Sequence, residues 1–236
     1  MSFVRLEGRA SYTRRVIRLD TMNTDAAFGP LLTILRRNAV LWDALERISR
    51  LALPDWYLGA GCIAQTGWNY AYGNNLNSGI RDYDVVYFDE DISQAAEEAV
   101  SARVSRELAD LNIVADVKNQ ARVHTWYGGR FGYDVLPYTS TADAISTWPT
   151  TATAVGVRLG PAGTTVCAPY GVADLLNCIV RPNRVQITRE IYSGKVDRWT
   201  RQWPLLTAMR WEDGVGEPAS RWVESASQNT GRTRAV

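Results

Sequence analysis

Apolar residues recur along the chain with two periods, one helical and one strand-like, and their order outlines the fold. Across residues 31–51 the positions Leu31, Ile34, Leu35, Leu41, Leu45 and Ile48 keep helical spacing. Asn38 between them is a helix-capping residue type, so two consecutive helices are predicted. Pro54 ends the second. Residues 55–58 read as a short strand entering the small-residue turn Gly59-Ala60-Gly61-Cys62, and residues 63–72 as a helix. A run of turn formers, residues 73–79, leads into residues 82–88, whose β-branched and aromatic content marks a strand.

Ser93, Glu97 and Glu98 open the next predicted helix, with Ile92, Ala96, Val100, Val104 and Leu108 on one face. Strands are expected around residues 113–117 and over 122–127, then a hairpin of 155–159 with 164–168 about Gly160-Pro161-Ala162-Gly163. Val172, Leu175, Leu176 and Ile179 space as a helix, as do Tyr192, Val196, Trp199 and Trp203 before Pro204. After Trp211 the chain turns polar. The pattern is α+β: a mixed β-sheet core flanked by helices, with a helical C-terminal portion. The expected layout is an N-terminal arm over 1–30, a core over 31–170, a helical portion packed on it over 171–212, and a polar tail over 213–236.

Composition narrows the function classes. With 236 residues and 46% hydrophobic content the chain can bury one substantial core. The 26 basic residues balance 25 acidic ones, so no overall field draws a nucleic acid; such a partner would need a local patch, for which Arg5, Arg9, Arg14, Arg15 and Arg18 are the candidates. Cys62, Cys167 and Cys178 form neither a CxxC pair nor an even set, which fits a reducing compartment. No apolar run approaches membrane-spanning length and no signal segment opens the chain, so a cytoplasmic location without a membrane partner is expected.

The chemistry concentrates in the acids. Asp82 and Asp84 sit two apart on one strand and so share a face. Asp116 lies on a later strand, and if the two strands pair, three carboxylates converge. Hard oxygen ligands of this kind hold the divalent ions that assist phosphoryl-group transfer. A solvated strand end is the alternative for a lone Asp-x-Asp pair. Gly59 to Cys62 would present backbone N–H groups at a helix start, where phosphate is favoured, or would simply pack a strand against a helix. Asn119, Gln120, Arg122 and His124 follow the third acid. Arg122 is a candidate triphosphate donor and His124 a candidate for orienting an acceptor hydroxyl; a buried polar network is the alternative for both. Ser140, Thr141, Thr150, Thr151 and Thr153 are further hydroxyl candidates, and among nine tryptophans Trp68, Trp126 and Trp148 stay open as stacking surfaces.

The turn at 59–62, followed twenty-one positions after Gly61 by Asp82-Tyr83-Asp84 and later by a third acid, resembles the polymerase-beta-like nucleotidyltransferase pattern. The phrases at 53–70 (LPDWYLGAGCIAQTGWNY), 80–89 (IRDYDVVYFD), 117–127 (VKNQARVHTWY), 148–158 (WPTTATAVGVR) and 180–183 (VRPN), with Tyr192, Lys195, Trp199, Trp203 and Pro204, resemble a bacterial nucleotidyltransferase family. The resemblance implies a nucleotidyltransferase-like fold and metal ligation, Mg²⁺ or Mn²⁺, by Asp82, Asp84 and Asp116. It also implies nucleotide contacts around Gly59, Gly61 and Cys62, with a nucleoside triphosphate as donor and an unspecified acceptor. Two departures stand out: Gly-Cys replaces the usual Gly-Ser, removing a hydroxyl, and Ala64-Gln65 stands where RNA-tailing relatives carry Arg-Asp. Transfer of a nucleoside monophosphate is the leading expectation. A nucleotide-binding regulatory or toxin–antitoxin module without turnover is the principal rival, and a metal-dependent hydrolase the third reading.

Overall fold

The structure, a computed structural model, describes residues 24–216 and the strand Trp222–Val223. The N-terminal arginines and most of the expected tail lie outside the described residues. The chain begins with helices α1 (Thr24–Arg37) and α2 (Ala39–Arg50), strand β1 (Tyr57–Gly59), α3 (Gly61–Ala71) and β2 (Tyr83–Tyr87). Next come α4 (Gln94–Glu107), β3 (Ala115–Asn119), α5 (Tyr127–Phe131), β4 (Asp134–Val135) and α6 (Thr141–Ile145). The hairpin β5 (Gly156–Gly160) and β6 (Gly163–Cys167) precedes α7 (Ala173–Leu176), β7 (Ile179–Val180), α8 (Arg189–Gln202), β8 (Thr207–Ala208) and β9 (Trp222–Val223).

Five strands form one mixed sheet in the order β3-β2-β1-β5-β6, in which only β2 and β3 run parallel, with α4 as their crossover. Alternation decides which face is buried. Leu58, Tyr83, Val85, Tyr87, Val117 and Val157 point one way and join the main core with residues of α1 to α4, each buried side chain of this size contributing about 1.5–3 kcal/mol. The other face carries Asp84, Val86, Asp116 and Lys118, and only part of it is covered, by a small cluster of Tyr57, Val86 and Ile145 with Trp148.

Local chemistry explains most element ends. Asn38 accepts a hydrogen bond from Leu41 N and donates to Thr66 Oγ1, so one side chain caps α2 and ties it to α3. Ser93 caps α4 through Ala96 N, and Thr188 caps α8 through Ile191 N. α8 is fastened to α3 by Trp68, whose ring meets Trp199 and Trp203 edge-on at 5.4 Å each, and by Trp203 Nε1 donating to Asn69 Oδ1. Among the described residues no helix is long and apolar enough to cross a membrane.

Three sequence expectations change. Residues 122–127 are not a strand: the buried Asn119 accepts from Ala121 N, and the chain winds into a 3-10 turn over Gln120–Thr125 that runs on into α5. A side-chain cap here overrides the β-propensity of Val123, Thr125 and Trp126. The strand expected over 113–117 starts at Ala115, because Asn112 adopts a left-handed conformation. The helix expected over 172–179 stops at Leu176: Cys178 has φ +56°, and its carbonyl accepts from Thr207 N where β7 and β8 meet.

Candidate active site

Parallel pairing sets Asp84 directly opposite Asp116, with Tyr83 opposite Ala115, so the two carboxylates leave adjacent strands from the same face. Asp82 immediately precedes β2 and is exposed, two residues before Asp84. On the other flank Gly59 of β1 is the register partner of Asp84. An added Cβ at Gly59 would lie 2.7 Å from the Val155 carbonyl and 2.8 Å from the Trp148 ring, so this glycine is required by packing. Between β1 and α3, Ala60 takes φ +55° with ψ −124°, a conformation costing an L-residue about 1–3 kcal/mol. That turn aims the Gly61 N–H, at the start of α3, so that it favors the charged form of Asp84.

The electrostatics center on Asp84. Loss of hydration, then repulsion from Asp82 and Asp116, pushes its carboxyl up to about 7; Lys195 and the Gly61 N–H act in the opposite direction. Lys195, on α8, is itself lowered, first by burial and then by Arg198, while Asp84 and Asp82 hold its proton on. Cys62 is fully buried and donates from Sγ to the Gly59 carbonyl at 3.1 Å. Burial raises its thiol well above the ordinary range, so it stays neutral and braces the turn.

The residues that follow the third acid face elsewhere. Asn119 Oδ1 accepts from Asp89 N and Ala121 N, and its Nδ2 donates to the Asp89 and Asp91 carbonyls. Arg122 pairs with the buried Glu97 of α4 and donates from Nε to the Ile92 carbonyl, while Glu97 also accepts from Asn119 N. These groups form a hydrogen-bonded brace between β3 and α4. Arg122 and His124, expected on one strand face, lie on different sides of a 3-10 turn. His124 Nδ1 is buried with no hydrogen-bond partner. Four of the five hydroxyls are committed: Ser140 caps α6, Thr150 bonds Thr153, and Thr151 donates to Asp174, whereas Thr141 Oγ1 is buried without a hydrogen-bond partner. Trp148 covers Gly59, and Trp68 belongs to the core.

Long-range folding adds residues that sequence reading left out of the site. α8 lays Lys195 and Arg198 toward the acids. A small polar recess next to Asp82 is lined by Gln65, Arg81, Arg198 and Gln202, and Gln65 Oε1 is buried there without a partner. The available signal was the i, i+3 spacing of Lys195 and Arg198 beside Trp199 on a predicted helix.

Hard carboxylate oxygens on neighboring strands, with Asp82 and Asp116 crowding Asp84, suit a divalent cation in donor type and charge. Among the described residues no three His, Cys, Asp or Glu side chains close on one ion position. At Asp116 the reason is visible: its Oδ1 lies 2.6 Å from Lys118 Nζ, so an ammonium supplies the countercharge. Ligation by Asp116 would exchange that partner for the ion.

A family model described as Nucleotidyltransferase matches residues 46–208. A solved structure described as "The NMR structure of the protein reveals a CCA-adding enzyme head domain" aligns with a TM-score of 0.63 at 26% identity, covering 77% of this chain and 95% of that one. No curated protein matches the chain.

Proposed function

The chain belongs to the nucleotidyltransferase family, and from that premise we propose that it transfers a nucleoside monophosphate from a nucleoside triphosphate to a hydroxyl or phosphate acceptor. The observation that carries this reading is the in-register pair Asp84 and Asp116, with Lys195 of α8 acting on Asp84 and Asp82, and Arg198 lining the recess beside Asp82. Acids for a metal and cations for a polyphosphate on one open sheet face are what such a reaction needs.

Mg²⁺ or Mn²⁺, held by Asp82 and Asp84 on the donor side and reached by Asp116 on the acceptor side, would supply charge neutralization for the triphosphate and the attacking oxygen. The chain's own residues do the rest. Lys195 and Arg198 bind the β- and γ-phosphates and stabilize the charge that develops on the leaving pyrophosphate. The Gly61 N–H and the α3 N-terminus orient the donor beside Asp84. The acceptor oxygen forms its bond to the α-phosphorus as the bond from that phosphorus to the bridging oxygen breaks. Pyrophosphate departs with the electron pair, and the acceptor proton leaves toward the half-buried Asp116 carboxylate.

A second reading, nucleotide binding without turnover, is favored by the Lys118–Asp116 ion pair, which occupies a carboxylate needed for chemistry. Incubation with each α-labelled nucleoside triphosphate, Mg²⁺ or Mn²⁺ and fractionated cell extract separates the two. Transfer yields a labelled product with equimolar pyrophosphate, lost in Asp84→Asn. Binding without any labelled product from any fraction would establish the second reading instead.

A further inference from the structure

A cleft of about 310 Å³ opens beside the third acid, between α4 and the segment that follows β3; its walls include Lys118, Glu98, Arg122, Trp126 and Arg130. We infer that this cleft is the acceptor subsite and that it takes a nucleotide unit, a planar base carrying a phosphate. This inference rests on the nucleotidyl-transfer reading above.

Position comes first. Lys118 is at once a wall of the cleft and the partner of Asp116 at 2.6 Å, so a ligand there lies next to the acid on the acceptor side. Charge comes second. Arg122 is taken up by Glu97, and Glu98 accepts from Gln94 Nε2 at 2.7 Å. Arg130 is exposed and lies over the Phe131 ring at 5.4 Å, with no hydrogen bond or ion pair among the described residues. It is a cation available to a phosphate. Lys118 becomes a second one whenever Asp116 is engaged by a metal ion, so metal binding at Asp116 strengthens acceptor binding. Shape is third: Trp126 is only partly buried, with its ring 6.0 Å from Tyr127 and one part of its surface in the cleft wall, a platform for a base. The volume stands at the lower end of small-ligand sites, enough for one nucleotide unit.

A free mononucleotide and the terminal nucleotide of an RNA strand present the same chemistry, and calorimetry on the full chain distinguishes them. With the donor site saturated by Mg²⁺ and a non-hydrolysable α,β-methylene ATP, AMP and a short 5′-phosphorylated oligoadenylate are titrated separately, with adenosine as the phosphate-free control. At least one phosphorylated probe is expected to bind, and the one that binds identifies the source. Arg130→Ala should weaken that probe about tenfold while leaving adenosine unchanged, and Trp126→Leu should weaken all of them about tenfold, with Trp126→Phe largely restored. Melting curves of each variant establish that the fold is retained. No binding by either phosphorylated probe, or binding that Arg130→Ala and Trp126→Leu leave untouched, overturns the inference. If the ATP analog itself fails to bind while AMP, titrated alone, still depends on Arg130, the transferase reading fails and the cleft stands as a nucleotide site. If the analog binds and the probes do not, only the acceptor assignment falls.

Discussion

Asp84→Asn tests the electrostatics of the acidic face without requiring a substrate. In the metal-free protein the Asp84 carboxyl titrates at about 7, against 3.8 in an unconstrained chain, so between these pH values the folded state holds a proton that the unfolded state has released. A group with a raised folded pKa stabilizes most at low pH and loses that contribution as pH rises toward 7. Each pKa unit corresponds to about 1.4 kcal/mol, which sets an upper bound of about 4 kcal/mol. Asparagine keeps nearly the same shape and cannot ionize. Metal-free Asp84→Asn should therefore lie within about 1 kcal/mol of the parent near pH 4.5 and exceed it by about 2–4 kcal/mol at pH 8, equivalent to a Tm difference of about 5–10 °C for a domain of this size. Thermal unfolding followed by circular dichroism in EDTA, from pH 4.5 to 8.5, measures this directly. Adding Mg²⁺ at pH 8 should raise the Tm of the parent and not that of the variant. A variant less stable than the parent at pH 8, or a difference that does not change with pH, would refute the assignment of Asp84 as a desolvated acid crowded by Asp82 and Asp116.

Other substitutions separate binding from architecture. Lys195→Met should weaken a Mg²⁺–nucleoside triphosphate about tenfold in calorimetric titration while the Tm holds or rises, since a half-buried cation is removed; unchanged affinity would take α8 out of the donor site. Gly59→Ala should cost about 1–3 kcal/mol in denaturant melts, because its methyl meets the Val155 carbonyl and the Trp148 ring; a neutral result would mean that Trp148 moves freely. Arg122→Ala leaves Glu97 buried without its countercharge and should lower stability by about 3–5 kcal/mol with affinity for the donor nucleoside triphosphate preserved in the folded fraction; lost donor affinity at constant Tm would restore Arg122 as a triphosphate ligand.

Local pattern was sufficient for much of the fold. Helical periodicity with capping residues located α2, α4 and α8, and alternation located β2, because amphipathic period and cap chemistry act within a few residues. The Asp-x-Asp spacing set Asp82 two residues before Asp84, although Asp82 lies just outside β2 and outside its alternation. Tertiary structure decided the rest. Parallel pairing brought Asp116 opposite Asp84 across a crossover that no local rule measures. A buried amide, Asn119, turned a β-prone stretch into a 3-10 turn, and Glu97, twenty-five residues before Arg122, drew that arginine away from the site. Lys195 and Arg198 reach the acids only because Trp199 and Trp203 dock α8 on Trp68. Which polar groups remain available to a ligand depends on which have already found partners, and that is settled by packing between segments distant in the chain.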